Sequence, residues 1–130
     1  MATHNYVVQG NNPVSIKVNV SASGVSHTTV RMQDNTISAN SGEDPTGLIP
    51  LTPVGNGNDI KGTTCDSITT IDLGGVDPTQ WQSIFDNLTI NYTLSGGMNG
   101  DDTFGLDADD DKGKSTTGKI IVVQKLISFN

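Results

Sequence analysis

The chain has 130 residues, 33% apolar and only 16% charged, with 7 lysines and arginines against 14 acidic residues and a net charge of −7. That length suits one domain with a real core, and the charge balance argues against nucleic acid and anionic membrane surfaces as partners. No apolar run approaches the roughly 18 residues of a membrane span, and no secretory signal precedes the first apolar cluster, Tyr6-Val7-Val8. The compartment stays open, an extracellular or virion-like assembly included.

In chain order, Asn5 to Gln9 read as a short extended segment, broken by Gly10-Asn11-Asn12-Pro13. Residues 1–12 are therefore expected to form an extended N-terminal arm, and deletion of residues 1–10 is expected to abolish assembly while leaving the fold. Val14, Ile16, Val18 and Val20 alternate with Ser15, Lys17 and Asn19, the pattern of a half-buried strand. Ser21-Ala22-Ser23-Gly24 reads as a turn into Val25–Met32, so these two strands are expected to pair as a hairpin. From Asp34 to Gly62 the pattern dissolves. Only Gly47–Leu51 is dense enough for a strand, and Pro50 and Pro53 would keep it at a sheet edge. Long irregular segments are where binding loops are usually found.

Thr69, Ile71 and Leu73 mark the next strand. Asp77 as cap, Pro78 at the first helical position, Gln80 three residues after the cap, and Trp81, Ile84, Phe85 and Leu88 at helical spacing predict one short helix near residues 78–86. Leu88, Ile90, Tyr92 and Leu94 share one strand face. The run from Ile120 to Phe129 is apolar on alternate residues of both parities, which predicts a central strand covered on both sides. The whole reads as all-β, a single-domain β-sandwich, Ig-like or jelly-roll-like, of about seven or eight strands.

Before that last strand lie six aspartates within residues 101–113. Such a loop must be solvated, paired or metal-bound. Asp107, Asp109 and Asp111 at alternate positions match the start of a calcium loop, but Lys112 stands where glycine should make the sharp turn and no glutamate follows. A looser Ca2+ site would draw on Asp101, Asp102, Asp107, Asp109 and Asp111; the plainer expectation is a solvated acidic turn. Gly113-Lys114-Ser115 mimics a phosphate loop, yet three aspartates precede it and a β-branched strand follows, so the match is spurious. The single Cys65 cannot form an intramolecular disulfide and has no neighbouring positive charge to make it reactive.

His4 and His27 have no nucleophile signature around them, so an enzyme is not expected. The expected function is a structural or interaction module, a homo-oligomer or a subunit of a larger surface or phage-like assembly. Asn5, Tyr6, Val7, Val8 and Gln9 would be its docking segment, through β-strand addition. The alternative is a calcium-dependent module binding a ligand such as carbohydrate.

Overall fold

A computed structural model describes residues 3–130, apart from the side chains of Ala108 and Asp109. The described residues form ten strands in two packed sheets, β1 (Thr3–Tyr6), β2 (Pro13–Ser21), β3 (Val25–Met32), β4 (Ile37–Asn40), β5 (Ile49–Asn56), β6 (Thr64–Asp72), β7 (Thr89–Ser95), β8 (Asp102–Gly105), β9 (Lys112–Lys114) and β10 (Ile120–Phe129). Three short helices intervene, α1 (Gly57–Ile60), α2 (Trp81–Asn87) and α3 (Ala108–Asp111). A 3₁₀ turn, Pro78–Gln80, precedes α2. The β-sandwich architecture is as the alternation predicts; the strand count is higher because four strands are only three or four residues long.

One sheet has the order β1-β10-β6-β3-β4, with β9 also on β10; the other is β5-β2-β7-β8. The inward residues of β2 and β7, among them Val14, Ile16, Val18, Ile90, Tyr92 and Leu94, are essentially inaccessible to solvent. Pro50 and Pro53 do lie on an edge strand, β5, where a missing N–H costs no ladder bond.

Two expectations fail here. First, β2 and β3 are not a hairpin: β2 pairs with β5 and β7, whereas β3 pairs with β4 and β6 in the facing sheet. The link between them is an arch. Gly24 has φ +100, and a Cβ there would lie 2.7 Å from the Asp72 carbonyl oxygen. Second, β10 is not covered on both faces. Its burial alternates strictly, with Ile121, Val123, Lys125, Ile127 and Phe129 inside, while Val122 on the other face is 42% exposed. A two-layer sandwich has only one inner face per sheet, so β-branched residues at the other parity remain at its surface. In the ladder, by contrast, β10 is central: β6 runs along one side from Ile120 to Ser128. On the other side β9 pairs with Ile121–Val123 and β1 with Leu126–Phe129.

The N-terminal segment is built into the domain. Tyr6 and Val8 are buried, β1 runs parallel to β10, and Val8 N–H donates to the Asn130 carbonyl at 3.0 Å. The Tyr6 hydroxyl donates to the Gly100 carbonyl at 2.7 Å and accepts from the Gly97 N–H at 2.8 Å, which ties the first strand to the β7–β8 loop. Thr3–Tyr6 and Val8 are thus part of the packed domain. Removing residues 1–10 is expected to lower the unfolding midpoint sharply. Tyr6→Ala should cost about 3–5 kcal/mol and Tyr6→Phe about 1–2 kcal/mol, the latter through the two lost hydroxyl bonds. Urea unfolding followed by Trp81 fluorescence measures both.

Candidate functional site

The parity of β10 carries a consequence for chemistry. With Ile121, Val123, Ile127 and Phe129 pointing inward, Lys125 must point inward too. Its side chain is only 7% exposed, and its Nζ lies 3.0 Å from Oδ2 of Asp111, whose side chain is fully buried. The carboxylate arrives at the end of α3, and Oδ2 also accepts the Asp107 N–H at 2.6 Å. Oδ1 has no hydrogen-bond partner among the described residues. Across the core, the Tyr92 hydroxyl of β7 is likewise buried and has no partner among the described residues. Burial, with a smaller contribution from the negative charge of Asp111, pushes the ionisation of Tyr92 far up, so it stays a neutral phenol.

The surroundings are polar on one side only. Ser67 of β6 is the register partner of Lys125, buried, with its hydroxyl unpartnered among the described residues. One step along, Thr28 of β3 and Thr69 of β6 join their hydroxyls at 2.9 Å. The inner face of this sheet thus holds a polar belt, while the facing sheet is apolar except for the tip of Tyr92.

Among the described residues, the expected metal ligands Asp101, Asp102, Asp107 and Asp111 do not come together as a set. Asp102 is bonded to His4, Nε2 to Oδ2 2.6 Å, and His4 stacks on Phe104 with ring centroids 3.4 Å apart. Asp101 is exposed beside it, and Asp107 is exposed at the start of α3. Asp111 is committed to Lys125, and the side chain of Asp109 lies outside the described residues. Among the described residues no three His, Cys, Asp or Glu side chains form a metal-sized group. The expectation of a wholly solvated acidic loop is corrected at Asp111, because the inward Lys125 demands a counter-charge. The loop's lysines are engaged as well. Lys112 donates to the Phe85 carbonyl at 2.6 Å, Lys114 donates to Gln82, and both ammonium groups lie under 5 Å from the Phe85 ring, at 4.7 and 4.8 Å. Strand β9 is thereby fastened to α2.

Within the docking segment Asn5, Val7 and Gln9 are exposed and Tyr6 and Val8 buried. Val7 contributes its carbonyl to the Met98 N–H at 3.0 Å. The irregular stretch from Asp34 to Gly62 does shape a cleft of about 430 Å³, between the β3–β4 turn and α1, with Asp34, Ser38, Asp59 and Ile60 in its walls. Its Asp34 carboxyl is held below the usual range by hydrogen bonds from Thr36. His27 is exposed on β3 with no acidic partner among the described residues, and Trp81 packs partly buried with its Nε1 donating to the Val76 carbonyl at 2.9 Å. Compared with protein-family models, curated proteins and solved structures, the chain matches none.

Breaking the buried pair from one side strands a charge. Lys125→Met and Asp111→Leu are each expected to cost about 3–5 kcal/mol, and the double replacement less than either single one; denaturant titration of the four proteins measures this. Cys65 is buried, and its burial next to Asp66 raises the thiol pKa to about 12. A thiol reagent at pH 8 should therefore label Cys65 only after denaturant is added, which rules out a reactive-cysteine function if observed.

Proposed function

We propose that the protein is a non-enzymatic structural module that assembles with further copies of itself, as a homo-oligomer or within a larger surface or phage-like assembly. The observation that supports this reading is the placement of β1. The four-residue strand β1 completes the sheet by parallel addition along Leu126–Phe129, and the exposed Gly10-Asn11-Asn12-Pro13 stretch joins it to the rest. A strand joined through such a stretch that fills a slot in its own domain fills the same slot in a neighbour at little extra cost, since the hydrogen bonds and the Tyr6 and Val8 sockets are identical. The net charge of −7 keeps non-specific association low and leaves short-range strand contacts to decide partners.

Light scattering over a range of concentrations tests this. The expected mass is a multiple of the 13.6 kDa chain, falling toward one chain when a peptide of residues 3–9 is added in excess. A single-chain mass at every concentration overturns self-assembly. A second reading is calcium-dependent ligand binding, to which the cleft offers two carboxylates, Asp34 and Asp59, short of the three-residue group that is absent among the described residues. Calorimetric titration with calcium chloride, repeated on Asp34→Asn, tests that reading, and no heat from the parent protein removes it.

A further inference from the structure

We infer that Lys125 and Asp111 are the two partners of an intramolecular amide cross-link, formed by condensation of the ε-amine with the side-chain carboxyl inside the folded sandwich. Four observations meet at this pair. The amine and carboxylate are in contact, at 3.0 Å, with side chains 7% and 0% exposed. Water, which would solvate both charges and reverse the condensation, is kept out by the core residues on either side of Lys125, Val123 and Ile127. Oδ2 is held by the Asp107 backbone N–H at 2.6 Å, while Oδ1 has no partner among the described residues. The neutral Tyr92 hydroxyl, also unpartnered there, is near enough to Asp111 to feel its charge.

These features suit the steps of amide formation. Condensation requires the amine and the carboxylic acid, and the direct contact is the route by which one proton passes from Nζ to the carboxylate to give them. The Nζ lone pair then attacks Cγ. Charge develops on Oδ2, where the Asp107 N–H already points, as an oxyanion donor should. Oδ1 leaves with the acid's proton and a proton lost from Nζ, as one water molecule. The Nζ–Cγ bond forms, the Cγ–Oδ1 bond breaks, and no oxidant, reductant or cofactor takes part. Contact in a fixed site replaces an encounter between free groups, the usual source of large intramolecular rate gains. The Tyr92 hydroxyl, buried on the facing sheet within electrostatic reach of the Asp111 carboxylate, is a positioning residue toward that carboxyl. The product exchanges two buried charges for a neutral amide and ties the β9–β10 hairpin covalently.

The test is the intact mass of the full chain under denaturing conditions, followed by tryptic digestion and peptide sequencing. The expected mass is lower than that of the sequence by one water molecule. The expected digest contains a branched peptide in which the piece ending at Asp111-Lys112 is joined to Lys125, where trypsin no longer cuts. Asp111→Asn should reach the same cross-linked product by losing ammonia, whereas Lys125→Arg should keep its full mass. Tyr92→Phe should slow the mass change in freshly refolded protein without altering the site of the link. A full sequence mass after prolonged incubation of the folded parent overturns the inference, as does a water loss found on a linear peptide.

Discussion

A single ammonium group organises the C-terminal half of this molecule. Strand β10 turns Lys125 into the sandwich because its neighbours at the same parity are the apolar residues that close the core. An isolated charge in that place is prohibitive, so a carboxylate has to be brought to it. Asp111 comes in on α3, and the chain must then enter β9 at once to pair with Ile121–Val123. That short strand carries Lys112 and Lys114 outward to Phe85 and the end of α2. The helix is thus held by the loop, the loop by the carboxylate, and the carboxylate by one lysine.

The other long-range device is the sharing of one edge of β10 between two segments far apart in sequence. β9 takes its first part and β1 its last, so neither half of this strand is left as an open template for pairing. The two covers differ in kind. β9 is joined to β10 by a short turn, whereas β1 leads into an exposed connector whose Gly10 and Asn12 carbonyls accept from the Asn58 and Gly57 N–H groups at 2.8 and 3.0 Å.

Much of this was legible in the sequence, and the remainder has a physical reason for having been hidden. The alternation in Val14–Val20 and Leu88–Leu94 correctly gave the buried faces, and Pro50 and Pro53 correctly marked an edge. Alternation says which face of a strand is buried but not which sheet the strand joins, so β2 and β3 looked like a hairpin and are not. The inward lysine was within reach: Lys125 shares parity with Ile121, Val123 and Ile127, but apolar residues at the other parity obscured which face was inside. Asp111 was not distinguishable among six aspartates, because burial there is imposed by a partner 14 residues further on. Nor could a segment as short as Asn5–Gln9 declare, by its own pattern, that two of its side chains are core residues.

The belt of Ser26, Thr28, Ser67, Thr69 and Lys125 replaces apolar area on one inner face, so hydrophobic burial alone cannot be why it is there. Its effect is on register. Strands β3, β6 and β10 are long and regular, and apolar contacts alone discriminate weakly between pairings displaced by two residues, since both keep the same faces inside. Displacing β10 by two residues against β9 would carry Lys125 away from Asp111 and leave two buried charges unpaired; displacing β3 against β6 would part Thr28 from Thr69. Polar groups that are satisfied in one register only convert a shallow preference into a steep one. The fold gives up some core hydrophobicity and gains a single alignment, and that alignment places the Leu126–Phe129 slot where the N-terminal strand can fill it.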